Sequence, residues 1–127
     1  MNNTKYQSMS VDDLFATMED AAVKSHDSFV SGASIEKSNE WTEIQNAAQE
    51  EIQRRGVDAV RRYIPLLKAS HPAVRLAAAL GAKNIALGEA VPVLEELRQG
   101  RYETNTAMNA RMTLDGMRKR GLIPPSK

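Results

Sequence analysis

From Ser10 to Gly121 the apolar residues recur every three or four positions, the period that presents one face of a helix to a core. Leu14, Phe15, Met18, Ala21, Ala22, Ser25 and Phe29 predict a first amphipathic helix ending near Val30. Ser10 offers a side-chain oxygen to its first-turn amides, and Asp12 and Asp13 complement its positive end. Ser31-Gly32-Ala33 breaks the pattern. Ile35, Trp41, Ile44, Ala47 or Ala48, and Ile52 then predict a second long helix, capped by Ser34 and stopped by Gly56. Its other face is polar: Glu40, Glu43, Gln45, Gln49, Glu50, Gln53 and Arg54. The two helices are expected to form an antiparallel hairpin.

Shorter segments follow. A third helix, Val57 to Ala69, is expected to bend at Pro65, which cannot donate a backbone hydrogen bond. Ser70-His71-Pro72 turns the chain, and Pro72 opens a fourth helix to about Asn84 that buries Val74, Ala77 and Ala78. A fifth runs from Glu89 to Arg98 with Pro92 near its start, opened by Gly88 and closed by Gly100; a sixth runs from Asn105 to Arg120, stopped by Gly121. A degenerate repeat underlies this half. Ile64-Pro65-Leu66-Leu67-Lys68 matches Val91-Pro92-Val93-Leu94-Glu95 at an offset of 27, and Val74-Arg75-Leu76 matches Ala110-Arg111-Met112 at an offset of 36. Two matches in the same order point to two stacked helix pairs, none of which can bury its apolar face alone. The expectation is an all-α domain of about six helices over residues 10–122, a short α-α superhelix. Residues 1–9 form a disordered lead and residues 123–127 a tail.

The chain has 127 residues, enough for one domain with a core that needs no metal or disulfide. It has no cysteine, which excludes thiol chemistry and soft-metal thiolate sites. His26 and His71 are its two histidines, 45 positions apart, and neither sits in a ligand spacing. A metal site would need carboxylates from elsewhere, so no metal or cofactor is expected. Met1 to Ser10 lacks the apolar core of a secretory signal. The longest apolar run, Leu76 to Leu80, falls far short of the ~20 residues that cross a bilayer. A soluble cytoplasmic protein with no membrane partner is expected. The net charge of +1 conceals a division: residues 1–53 carry three lysines against ten carboxylates, and residues 54–127 carry fourteen Lys/Arg against six Asp/Glu. Such asymmetry matters for choosing a partner more than for folding.

Candidate chemistry is sparse. His71 beside Pro72 reads as an exposed corner or a cap, and His26 is not expected to engage the adjacent Asp27 or to carry function, since helix neighbours do not face each other. Trp41 reads as core between the first two helices, and Met108, Met112 and Met117 as core or end-cap packing. Glu40 and Glu43 lack the unlike environments that separate the pKa values of catalytic carboxylates, so their face reads as solvated. The densest basic run, Arg54, Arg55, Arg61, Arg62 and Lys68, joined by Arg75 and Arg111, is the candidate partner-binding surface. Arg61 and Lys68, at i and i+7, would share one face of an α-helix. No phosphate loop, nucleotide motif or helix-turn-helix pattern is present, and no catalytic residues are identified, so an enzyme is not expected.

Pro65, Leu66-Leu67, His71-Pro72, Val74-Arg75 and Ala77-Ala78-Ala79 together resemble a HEAT-type repeat, the architecture of HEAT/armadillo-like proteins. In such repeats a proline-bent helix leads through a turn to an alanine-rich helix opened by a Val-Arg pair. The acid that often stands in that turn is replaced here by Ser70 and His71. Over residues 10–122 the chain is more closely similar to a small bacterial HEAT-like family known only as a domain of unknown function. That similarity rests on the Asn39 region, Arg54-Arg55-Gly56, His71-Pro72 with Val74-Arg75-Leu76, and Ala110-Arg111-Met112-Thr113-Leu114. It implies a fold and a bacterial origin, and brings no catalytic residues. The function expected is non-catalytic binding of another protein, as an immunity or adaptor protein. The rival is nucleic-acid binding through the basic C-terminal half, which would need cations aimed at phosphates and exposed aromatics to stack on bases.

Overall fold

Ser10 caps the first long helix as its position requires: the Asp13 amide donates to Ser10 Oγ at 3.0 Å, and the Leu14 amide to Ser10 O at 2.9 Å. The structure, a computed structural model, describes residues 4–32, 35–99 and 104–124. Seven α-helices and one 3₁₀ helix occur among them: α1 (Thr4–Gln7), α2 (Val11–Val30), α3 (Ile35–Arg54), α4 (Val57–Val60), η1 (Arg61–Lys68), α5 (Pro72–Ala82), α6 (Leu87–Leu97) and α7 (Thr104–Lys119). No strand occurs among the described residues, and none of their helices is long and apolar enough to cross a membrane. The fold is all-α. The expected caps Ser34 and Gly100 lie outside the described residues.

Helices α2 and α3 form the long hairpin. Leu14, Phe15, Met18, Ala21 and Ala22 bury one stripe of α2 among Ala47, Ala48 and Ile52 of α3 and the rest of the core. A hydroxyl pair, Ser25 Oγ to Thr42 Oγ1 at 2.8 Å, joins the two helices where that core thins. Trp41 is half-buried at the rim and is not the core filler expected of it: Lys24 Nζ lies 4.6 Å from its ring centroid. The expected disordered lead contains α1, whose Tyr6 ring is buried against the core. One guanidinium holds that segment down. Arg55 Nη2 donates to the carbonyls of Tyr6, Gln7 and Met9 at 3.1, 3.1 and 2.7 Å.

The third expected helix is two elements. Gly56, at φ 100°, separates α3 from the single turn of α4, after which the chain tightens into η1. Pro65 accounts for the change, because it lacks the N–H of an α-helical bond and its ring crowds the carbonyl four residues back. At three residues per turn, Val60, Tyr63 and Leu66 line up along the inner side, with Leu67 beside them. The same geometry corrects the expectation for Arg61 and Lys68. Seven steps of roughly 120° leave them about a third of a turn apart, not on one face.

Helix α5 is the hub. His71 caps it, accepting the Ala73 amide on Nδ1 at 3.1 Å, and Pro72 takes the first position. Ala73, Val74, Leu76, Ala77, Ala78, Ala79, Gly81 and Ala82 are all buried, so nearly every side of the helix meets a neighbour. Small side chains let η1, α6, α2 and α7 all pack against it. Gly81 takes this furthest, with the Tyr63 ring lying where its Cβ would be. The last four segments pack in succession, η1 on α5, α5 on α6 and α6 on α7, with η1 also touching α6 and α5 touching α7. Gly121, at φ 75°, ends α7; its amide reaches Arg118 O at 3.0 Å, and the Leu122 amide reaches Met117 O at 2.9 Å. Met117 is buried as expected, whereas Met108 and Met112 point outward.

Candidate functional site

Glu51 decides where the first two cations of the basic run go. Its carboxylate is 5 % exposed, and Arg54 grips it with two bonds, Nε to Oε1 at 2.9 Å and Nη2 to Oε2 at 2.6 Å. Arg55 Nε adds a third at 2.6 Å. Arg54 first and Arg55 second hold the Glu51 carboxyl below the usual carboxylate range, against the burial that raises it. Arg62 pairs with Asp12 and lies 5.5 Å from the Phe15 ring centroid. Arg75 Nη1 donates to the carbonyls of Ala69 and Ser70 at 3.0 and 3.1 Å, and its Nε lies 3.6 Å from Glu96 Oε1. Arg55, Arg62 and Arg75 tie separate segments of the fold together, and Arg54 is paired within α3. Arg61, Lys68 and Arg111 are exposed and make no ion pair among the described residues, the first two on η1 and the third on α7.

A concave feature lies elsewhere, between α3 and α5. Thr42, Gln45, Asn46, Gln49 and Gln53 recur at helical spacing along α3 and face Leu76, Leu80 and Gly81 of α5. One cavity of about 290 Å³ is bounded by α2, α3, α5 and α7. A second of about 420 Å³ shares Asn46, Gln49 and Leu80 with it and continues to Gln53, Lys83 and Asn84. The glutamines form a clamp. Gln49 Nε2 donates to Ala77 O at 3.2 Å, and one turn further Gln53 Nε2 donates to Gly81 O at 2.9 Å. Gln45 Nε2 in turn steadies Gln49 Oε1 at 3.2 Å. Asn46 on α3 and Asn109 on α7 also line the groove, and their side chains make no hydrogen bond to the described residues.

At the end of α2 the fold assembles a cluster that sequence spacing did not foreshadow. Asp27 Oδ1 stands 3.3 Å from His26 Nδ1 and 3.3 Å from His71 Nε2. The two imidazoles meet edge to face with centroids 4.8 Å apart. Because His71 Nδ1 accepts the Ala73 amide, the proton of the neutral ring sits on Nε2, from which it donates to Asp27. The hydrogen bond from His26, with that from His71 added, holds the Asp27 carboxyl below its ordinary value although desolvation acts the other way. His26 also borders the groove.

Residues 12–118 match the family described as a domain of unknown function, DUF2019. The chain belongs to this family. The crystal structure of the protein RPA1889 from Rhodopseudomonas palustris is similar to this DUF2019 domain with a TM-score of 0.78. The match covers 94 % of this chain and 97 % of that one at 23 % identity, a likeness that shows the fold alone. No curated protein is significantly similar to the chain.

The groove of this DUF2019 domain can offer hydrogen bonds of both senses, because each carboxamide carries two donors and an acceptor. It sets them beside the apolar side chains of Leu76 and Leu80. Reading the chain as a helical wheel put Gln45, Gln49 and Gln53 on a solvated face. The signal that distinguishes them is their neutrality at consecutive turns beside glutamates, since an uncharged amide tolerates contact with a neighbouring helix.

Proposed function

We propose that this DUF2019 domain is a non-catalytic protein-binding module of the bacterial cytoplasm, an adaptor or immunity protein that holds its partner along the α3–α5 groove. One observation carries the reading: Asn46 and Asn109 present unengaged carboxamides across a groove whose walls are already fixed by the Gln49 and Gln53 clamp. Neutral amides suit a peptide surface, which offers its own N–H and C=O groups and repays their desolvation bond for bond. A wall held in place before binding also loses little conformational entropy when the partner arrives. Arg61, Lys68 and Arg111 contribute long-range attraction for an acidic partner and set its approach.

Nucleic-acid binding through the basic half has less support. Arg54, Arg55, Arg62 and Arg75 are committed to carboxylates and carbonyls, Tyr63 is buried, and Trp41 lies under Lys24. Titration calorimetry against proteins encoded beside the gene tests the reading, with Asn46→Ala and Asn109→Ala run in parallel. A partner whose affinity falls about tenfold in each variant, with the melting temperature unchanged, supports the groove. A partner indifferent to both, or binding to duplex DNA that weakens steeply with salt, refutes it.

A further inference from the structure

The chain contains two histidines and no cysteine, and the fold carries both histidines to one carboxylate. We propose that His26, Asp27 and His71 form a binding site for a divalent transition-metal ion of the zinc class. Two ligand atoms held by a tetrahedral ion with bonds of about 2.0–2.1 Å lie about 3.3–3.4 Å apart. Asp27 Oδ1 already stands 3.3 Å from a nitrogen of each histidine, and the three ligand atoms lie within 4.8 Å of one another. Drawing the two imidazoles together is the remaining movement. Asp27 is 62 % exposed and His71 lies at the turn before α5, so the side chains can make it without disturbing the core. Two imidazoles with one carboxylate suit zinc, cobalt or nickel and suit magnesium or calcium poorly. Three protein ligands leave a fourth position open to water, the arrangement of an exchangeable site and not of a closed structural one.

The protons impose a definite cost. A metal on His71 Nε2 displaces the proton there, so the neutral ring carries its proton on Nδ1, where it opposes the Ala73 amide. Loading therefore removes the side-chain cap of α5, a penalty of about fivefold in affinity. It also links metal occupancy to the first turn of the hub helix. That link is a readout which adventitious binding at surface carboxylates does not share.

The test is calorimetric titration of zinc chloride into the chelator-stripped full chain, with cobalt absorption as a geometric probe. The expected result is one equivalent bound, a four-coordinate cobalt spectrum, and a rise in Tm of about 5–10 °C at a hundredfold excess over Kd. Exchange of the Ala73 amide should quicken on loading. His26→Asn, Asp27→Asn and His71→Asn should each weaken binding at least tenfold. Asn at position 71 keeps a capping acceptor, so loss of binding there is not loss of the helix. A wild-type chain that takes up no equimolar zinc overturns the proposal. So do variants that bind as tightly as the wild type, or an octahedral cobalt spectrum like that of the free ion.

Discussion

Replacing Gly81 by alanine probes how closely η1 lies on the hub helix. A Cβ at this position would stand 2.5 Å from Tyr63 Cε2 and Cζ and 2.6 Å from Cδ2, about 1 Å inside ordinary contact. The ring has nowhere to retreat, being fully buried and set edge-on against Phe15 at 4.8 Å between centroids. Overpacking of this kind costs about 1–3 kcal/mol. Shifting α5 to relieve it would also stretch the Gln53 bond to Gly81 O, worth about 1 kcal/mol. Against this, alanine gains about 1 kcal/mol of helix propensity. The net is a loss of about 2 kcal/mol, read as a fall of about 1 M in the urea midpoint with an unchanged slope. Trp41, the single tryptophan, supplies a fluorescence signal and helical circular dichroism a second. The same substitution in a Tyr63→Leu background should be neutral or stabilising by up to about 1 kcal/mol, because only the propensity gain remains. A wild-type background in which Gly81→Ala stabilises, or a cycle without coupling, would refute the close approach.

Further outcomes follow from three buried or bridging polar groups. Burial pushes the Tyr63 phenol up to about 12 from 10.0; its contribution to stability is therefore full below pH 10 and declines as pH rises from 10 toward 12, and absorbance titration should show one tyrosine ionising late. Tyr63→Phe should change stability by less than about 1 kcal/mol, since the buried hydroxyl makes no well-formed hydrogen bond among the described residues. Glu51→Ala should cost about 2 kcal/mol, the loss of charge-assisted bonds discounted for the exposure of Arg54. The wild-type Glu51 contribution is present above pH 4.5 and fades as pH falls through its lowered value, so the gap between the two chains should narrow in acid urea melts. Arg55→Met should release α1, seen as fast amide exchange over residues 4–9 with little change in the exchange of α5.

Local signals carried most of the fold. The three-and-four spacing located both hairpin helices, and Pro72, Gly56 and Gly121 each mark an end because their backbone requirements are fixed by one residue. What was not legible depended on contacts distant in sequence. Pro65 announces a disturbed helix, but nothing local to it shows that Tyr63 of the tightened segment seats against Gly81 of α5. Tyr6 is one aromatic in a polar stretch, and nothing within that stretch shows that Arg55 collects its carbonyls. The histidines illustrate the limit most sharply. His26 and His71 are 45 residues apart, and only the packing of α2 on α5 makes them neighbours. The candidate site was the least legible part, since the neutral glutamine stripe marks a face able to touch a helix but not which helix it meets.

The groove separates amides that hold the fold from amides left open to a partner of the kind proposed. Within α5, Arg75 is the one charged side chain, and it turns to the corner carbonyls and Glu96, so the hub contributes shape and little chemistry. On the proposed reading, recognition comes from the rims, on α3 and α7. On those rims Gln49 and Gln53 are spent on α5 carbonyls, whereas Asn46 and Asn109 are not. Substituting the glutamines loosens the wall and acts through stability. Substituting the asparagines leaves the packing intact and acts on contact alone. Effects of the two pairs on folding should therefore differ even though all four amides line the same groove, and that difference is what allows partner preference to change without a change of fold.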